Sequence, residues 1–352
     1  MLHLSYPLHS EWRGVALTLA SIVLMMTFIS NRATLIFNPH AGFGEWRQLV
    51  EKLVSFWQQQ GWQVTLQPTT HSGHATELAR SAAAAEHGLV FAVGGDGTLN
   101  EVANGLVNTE TVLAFLPVGT ANSFARELGA PRPNLLNPKW LLDASVTLAA
   151  GHIQRVDMGL CDNGRYWLLW ASTGIDGFIV DRIEPRSKLF KRLGPAGYAT
   201  KALLALPAFS GVQATVTVDD QTVSDDFLLI NVSNCRMFAG GELRLNTYGV
   251  LDDGLFEVWL FRGHDWPDVL RYTAAIGLEQ HARDPKVQKI RGRRVSITTS
   301  TEAPYHLDGE PAGVTPFTCE IKPGVLRLLV PNTAPSHLFC KPGQAVTDFA
   351  GR

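Results

Sequence analysis

The hydrophobic rhythm of this 352-residue chain changes once, near Val156, and that change limits what it can fold into. Between 32 and 155, short apolar runs alternate with segments of helical periodicity: ATLIF, a helix over 46–60, WQVTLQ, a helix over 75–87, LVFAVGG, a helix over 99–107, VLAFLP, then a helix-rich stretch to Gly151. Strands that are apolar throughout and separated by helices predict an α/β domain with a parallel sheet covered on both faces. Beyond 156 the period becomes two, in RYWLLWAS, VQATVTVDD, FLLINVS, GLFEVWLF, RRVSITTS and VLRLLVP, broken by DDQ, DDG and KPG turns. This predicts a mostly antiparallel β-sandwich, with helices only near 195–206 and 266–280. The expected division is an N-terminal extension (1–31), an α/β domain (32–155), a β-rich domain (156–330) and a tail (331–352) able to fold back onto the first domain.

Composition narrows the class. Hydrophobic residues are 45% and charged residues 18%, which is globular usage. The net charge of −2 provides no general field for nucleic acid. Four widely spaced cysteines without a CxxC pair suit a reducing, cytoplasmic compartment. Gly14 to Ile29 carries no charge over 16 residues between Arg13 and Arg32. That is short for a spanning helix, which takes about 20 residues. Two readings stay open: translation starts at Met25 or Met26, or the segment is a tilted or interfacial anchor. The nine tryptophans are assigned to packing, and His71, His74 and His306 lack metal-ligand spacing.

The chemistry concentrates in Val93 to Glu101, VGGDGTLNE. A buried strand ends in glycines around one aspartate and enters a helix whose first turn offers free N–H groups and a positive dipole, a setting for phosphate. Gly94, Gly95 and Gly97 permit close backbone approach, Thr98 is placed to cap the helix, and Asp96 to hold Mg²⁺ directly or through water. Taken alone, such a stretch is also an ordinary turn. Two more loops follow strands in the same half: Asn38-Pro39-His40-Ala41-Gly42 after ATLIF, and Pro117 to Arg126 after VLAF. Ligands of parallel sheets sit beyond the carboxyl ends of the strands, so the three loops should converge. None is a Walker A loop or the GxGxxG fingerprint.

NPHAG, GGDGTLNEV, GTANSFAREL, VDMG, PRSKLFKRLGPAGYATKALLALP, VLDDGLFEV and HLDGEP occur in this order, and the chain from about Arg32 to Asn332 thereby resembles the diacylglycerol kinase and sphingosine kinase catalytic family, bacterial soluble type. GGDGT alone is shared with NAD kinases and phosphofructokinases, whose N-terminal fold the first domain is expected to resemble. The resemblance implies ATP against Asn38, Pro39, His40, Ala41 and Gly42, against Gly95, Asp96, Gly97, Thr98, Leu99, Asn100 and Glu101, and against Thr120, with Thr69 as a further contact. It implies Glu310 as base, Asp308 as its acidic partner, and a structural Mg²⁺ held by Val250, Asp253 and Leu255. Asp157 resembles the aspartate linking that metal region to Asp96 through water. Ser123 departs from the Asp of many members, and Ala41 from their Ser.

These residue types suit phosphoryl transfer, which needs phosphate positioning, Mg²⁺ and a carboxylate near the attacking hydroxyl. Asp308-Gly309-Glu310 and Asp252-Asp253-Gly254 are each also readable as plain turns. Arg182, Arg186, Lys188, Lys191 and Arg192, interleaved with Leu189, Phe190 and Leu193, read either as a dock for anionic lipid or as a solvated helix start. Residues 203–209 either line an acyl-chain cleft or fill core. The expected protein is an ATP- and Mg²⁺-dependent kinase of a membrane lipid (diacylglycerol-, phosphatidylglycerol- or sphingoid-like), peripheral at the inner membrane face, with a homodimer left open. The rivals are a kinase of a soluble acceptor such as NAD and a catalytically silent lipid- or nucleotide-binding regulator.

Overall fold

The computed structural model describes residues 30–42, 47–130, 139–183 and 209–345. The apolar stretch 14–29, the expected helix at 195–206 and most of the basic segment lie outside them.

In the first half, β1 (Arg32–Phe37), α1 (Arg47–Gln59), β2 (Gln63–Pro68), α2 (His74–Ala84), β3 (Leu89–Gly94), α3 (Asp96–Leu106) and β4 (Val112–Pro117) alternate, followed by α4 (Ser123–Glu127) and α5 (Trp140–Ala149). The four strands pair in parallel in the order β2-β1-β3-β4. Side chains alternate between the sheet's faces. Leu35, Phe91 and Val93 pack with Leu53 and Trp57 of α1 and Leu141 of α5. Ile36, Val90 and Ala92 pack on the other face with Ala79 of α2 and Leu99 and Val102 of α3. Burying each large apolar side chain stabilises by about 1.5–3 kcal/mol, which is what holds these short helices. β2 is the edge strand, half-exposed and ending in Pro68.

The second half runs β5 (His152–Cys161), β6 (Tyr166–Trp167), β7 (Trp170–Gly174), α6 (Ile175–Ile183), β8 (Val212–Val218), β9 (Gln221–Ser233), β10 (Met237–Phe238), β11 (Leu243–Arg244), β12 (Phe256–Arg262), α7 (Trp266–Gly277), β13 (Val287–Gly292), β14 (Arg294–Thr299), β15 (Pro304–Leu307), β16 (Glu310–Val314), β17 (Phe317–Val330) and β18 (Gln344–Ala345). Apart from the joining pair described next, these strands pair antiparallel and form the β-sandwich. β17 joins the halves: its early residues pair β14, while Arg327 and Leu328 run parallel to Val112 and Leu113 of β4. β17 also pairs β5 along most of its length. The core against α2 and α3 therefore continues without a break into Met158, Leu168, Leu169, Leu328 and Leu338. Past Pro331 the chain touches both halves. Asn332 N–H donates to the Thr147 carbonyl, and Gln344 and Ala345 pair with β5.

Three local readings change. The helix expected from Leu99 begins at Asp96. α6 follows β7 without a loop and was not expected, because IDGFIVDRI continues an apolar run with no turn residue beyond Gly177 to mark a switch of period. β13, VQKIRG, is too polar to read as a strand and owes its place to pairing with β12.

Candidate functional site

The three loops of the first half meet as expected at the carboxyl ends of the strands. Asn38 donates to Thr98 Oγ1 at 3.2 Å, and its Oδ1 accepts the His40 N–H at 2.9 Å, shaping the loop that Pro39 to Gly42 follow. Thr98 therefore does not cap α3. It sits inside the first turn, buried against Asn38, and the N-cap is Gly95 with no side-chain bond. The helix starts three residues earlier than expected, which moves Thr98 past the cap position. Thr69 is buried, with its N–H on the Phe37 carbonyl at 2.8 Å, and Thr120 is exposed. Leu99 is core, and its N–H is spent on Gly95. Glu101 accepts the Ala75 N–H at 3.1 Å and so steadies the start of α2.

Asp96 is the knot between two loops. Its oxygens accept the N–H groups of Ser123 at 2.9 Å and Phe124 at 3.2 Å, the first residues of α4, and the Ser123 hydroxyl adds a bond. Burial pushes its carboxyl above the ordinary aspartate value, opposed by those bonds and by the Arg126 charge. A hydroxyl in place of the acid common at 123 thus supplies Asp96 with a donor instead of a like charge.

The second half brings its acids to the start of α3. Asp308 and Gly309, at φ 53° and 79°, form the two-residue hairpin between β15 and β16, the left-handed geometry for which Asp-Gly is a strong signal. The plain-turn reading of this motif is therefore borne out, and it leaves room for a site reading beside it. The Asp308 carboxylate is half-buried and accepts the N–H groups of Leu168 and Leu169 at 2.8 Å and Trp170 at 3.1 Å. It also accepts the amide of Asn100 on α3, which ties the halves together. Burial pushes this carboxyl up too, against those three backbone bonds and the Arg165 charge. Glu310 behaves differently. Its side chain is 46% exposed and pairs with Arg165. A Cβ placed on Gly97 would fall 2.7 Å from Glu310 Oε1, so the missing side chain is what lets the carboxylate lie over the first turn of α3. The acidic hairpin thus lies against α3 next to position 96.

Asp253 lies in the turn that leads into β12 of the second half. Its Oδ1 accepts the Leu255 N–H at 3.0 Å, and Oδ2 pairs with Arg291. Each carboxylate oxygen keeps a lone pair, and with the Val250 and Leu255 carbonyls the donors are all oxygen, the set Mg²⁺ prefers. The residues fit the implied ion, which would share the carboxylate with Arg291. The neighbouring Asp252 is fully buried on Gln154, Cys340 and Lys341, a structural role anchoring the tail. Asp157 bonds Gly254 and Gly324, and burial raises its carboxyl. No hydrogen bond among the described residues joins it to Asp96.

Several participants escaped the sequence reading. Asn104 exchanges two hydrogen bonds with the backbone of Tyr166, one turn along α3 from Asn100, a spacing that was visible. Glu127, wholly buried, holds Arg236 at 2.7 Å and Met237 N–H at 3.0 Å, and Arg236 also meets His337. This pair joins α4 to the second half and to the tail. Arg165 had no signal. Of the basic segment, only Arg182 is described, stacked 4.1 Å over Phe178. Among the described residues no helix is long and apolar enough to cross a membrane.

The comparisons agree with this architecture. Residues 32–161 match the diacylglycerol kinase catalytic domain, and 170–330 match the YegS C-terminal NAD kinase beta sandwich-like domain. A diacylglycerol kinase of Bacillus subtilis (strain 168) is 30% identical over 287 residues, covering 81% of this chain and 91% of that relative. One of Staphylococcus aureus (strain MRSA252) is 28% identical over 288 residues, 81% and 88% of the two chains. A crystal structure of a diacylglycerol kinase from Bacillus anthracis str. Sterne superposes with TM-score 0.64 at 21% identity, over 87% of this chain and 98% of that one, and shares the fold. The chain belongs to the diacylglycerol kinase catalytic-domain family and is a kinase of a lipid alcohol.

Proposed function

We propose that the protein transfers the γ-phosphoryl group of ATP, with Mg²⁺, to the hydroxyl of a membrane lipid, and that diacylglycerol, the substrate named for its relatives, is the acceptor. The observation that carries this reading is the placement of Glu310 Oε1 over Gly97, because it sets a carboxylate beside the N–H groups that bind phosphate.

The chain's own residues divide the work. The free N–H groups of Gly95, Asp96 and Gly97 hold the phosphates, and Asn38 and Asp96 fix the two flanking loops. Glu310 takes the hydroxyl proton as the lipid oxygen forms its bond to the γ-phosphorus and the bond to the ADP oxygen breaks. Arg165 keeps Glu310 in place before substrate arrives. Asp308 does not reach the reacting atoms; four donors hold it, and through it the turn that carries Glu310. Metal held near Asp96 would neutralise phosphate charge, and an ion at Val250, Asp253 and Leu255 would stiffen the turn beside Asp157. The basic segment beginning at Arg182 is the proposed contact with anionic lipid at the inner membrane face.

The test is transfer of radiolabelled γ-phosphate in mixed micelles. Label in phosphatidic acid is expected. Label only in phosphatidylglycerol, ceramide or sphingoid products would reject diacylglycerol and keep the lipid kinase; labelled NADP with an unlabelled lipid fraction would reject the reading whole.

A further inference from the structure

His306 lies two residues before Asp308, its side chain 1% exposed, and the chemistry above makes no use of it. Both of its ring nitrogens are engaged. Nδ1 lies 3.2 Å from the Gly309 amide nitrogen, and Nε2 lies 2.8 Å from Asp176 Oδ2. An amide N–H can only donate, so Nδ1 accepts, and the ring hydrogen on Nε2 goes to the Asp176 carboxylate. The partners thus select one neutral tautomer.

Two features of the backbone serve this contact. Asp176 stands in the first turn of α6, and the next residue, Gly177, lets that turn rest on β15: a Cβ there would fall 2.1 Å from the Pro304 carbonyl oxygen. The pairing of β15 with β16 also shifts register between Tyr305 and His306. Irregularities of this kind re-aim a side chain, here one that faces the hairpin turn.

We propose that His306, oriented by Asp176, is a positioning residue that fixes the Asp308-Gly309 turn through the Gly309 N–H and so sets Glu310 over Gly97. This rests on the reading of Glu310 as the base. The hairpin puts the reacting carboxylate one residue beyond Gly309, where a displacement of about 1 Å is enough to cost a large factor in rate.

Asparagine and glutamine separate the two contacts. In His306→Asn an oxygen takes the place of Nδ1 but nothing reaches Asp176. In His306→Gln the amide reaches Asp176 and leaves Gly309 N–H without its acceptor. In the full chain, with ATP and diacylglycerol micelles, His306→Gln is expected to lower kcat about tenfold or more with KM for ATP unchanged. His306→Asn should keep kcat within about threefold, with melting temperatures similar for the two. Asp176→Ala, which frees the ring without touching the turn, should give an intermediate kcat and serves if His306→Gln does not fold. Equal losses in the Asn and Gln variants, a loss that follows melting temperature, or normal turnover in Asp176→Ala overturns the inference. Glu310→Gln is measured alongside. If it turns over normally, the base reading falls; if it is inactive while His306→Gln is normal, only the present inference falls.

Discussion

Asp96 and Asp308 both stand at the N-terminal half of α3, both half-buried and both with carboxyls pushed up by desolvation, yet their partners come from different places. Those of Asp96 are Ser123 and Phe124, from its own half of the molecule. Those of Asp308 are Leu168, Leu169 and Trp170 from the second half and Asn100 from the first. One acid shapes a loop pair; the other welds two halves. Glu310, the third acid of the group, is held instead by a side chain, that of Arg165. The contrast teaches a division of labour in which the two carboxylates held by backbone donors fix geometry, and the proposed base is the third, whose one hydrogen-bonded partner here is a side chain.

The largest effect is expected at the proposed base. Glu310→Gln should lower kcat by about 100-fold or more while nucleotide affinity changes little, since only a proton-accepting group is lost. Steady-state kinetics with equilibrium ATP binding checks this. A near-normal kcat would reverse the roles assigned to the two acids of the hairpin.

Removing the weld should act on stability as well as rate. Asp308→Ala leaves three N–H groups and the Asn100 amide without their acceptor, at a cost of about 3 kcal/mol or more. Hydrogen exchange should rise both at 168–170 and along α3, whereas in Asp96→Asn the rise should stay within 117–127. Exchange confined to 168–170 in the first variant would mean that Asn100 transmits nothing.

The comparison also shows what residue order discloses. The parallel half was readable because β1, β3 and β4 are mostly apolar and the glycine-rich turn sits between strand and helix. Asp308 and Glu310 could be picked out as a motif, and Asp-Gly as a hairpin. Their partners could not. Arg165 and Asp176 stand 145 and 130 residues from Glu310 and His306, the side chains they meet, and Glu127 stands 109 from Arg236. Such pairs are made by the pairing of β7 with β15 and the docking of α4 on the second half, and no local period encodes them. Thr98 illustrates a nearer miss: its residue type suits a cap, but helix α3 gains a turn from Asp96 once Gly95 takes the N-cap.

A smaller effect is expected at the turn before β12, which is held within the second half. If Val250, Asp253 and Leu255 hold an ion, chelator should lower the melting temperature of the native protein by about 2 °C or more, and Asp253→Ala should melt lower without responding to chelator. Identical melts of the native protein with and without chelator would leave Asp253 to Arg291 and the Leu255 N–H, with no ion.

The smallest effect lies away from α3. His281 is buried under α7, with Nε2 2.7 Å from the Leu245 carbonyl and its ring against Trp259, and desolvation lowers its pKa below 6.5. The unfolded chain therefore binds more protons than the native one once pH falls below about 6.5. The stability contributed by neutral His281 is complete above that pH. It is lost on acidification toward the folded pKa, at no more than about 1.4 kcal/mol for each step of one in pH. Asp96 and Asp308 have raised values and act with the opposite sign, losing stability as pH rises through them. His281→Gln, whose amide can still donate to Leu245, should thus show a shallower fall in melting temperature from pH 7 to pH 5. Parallel curves for the two proteins would assign the acid sensitivity of this half to other groups.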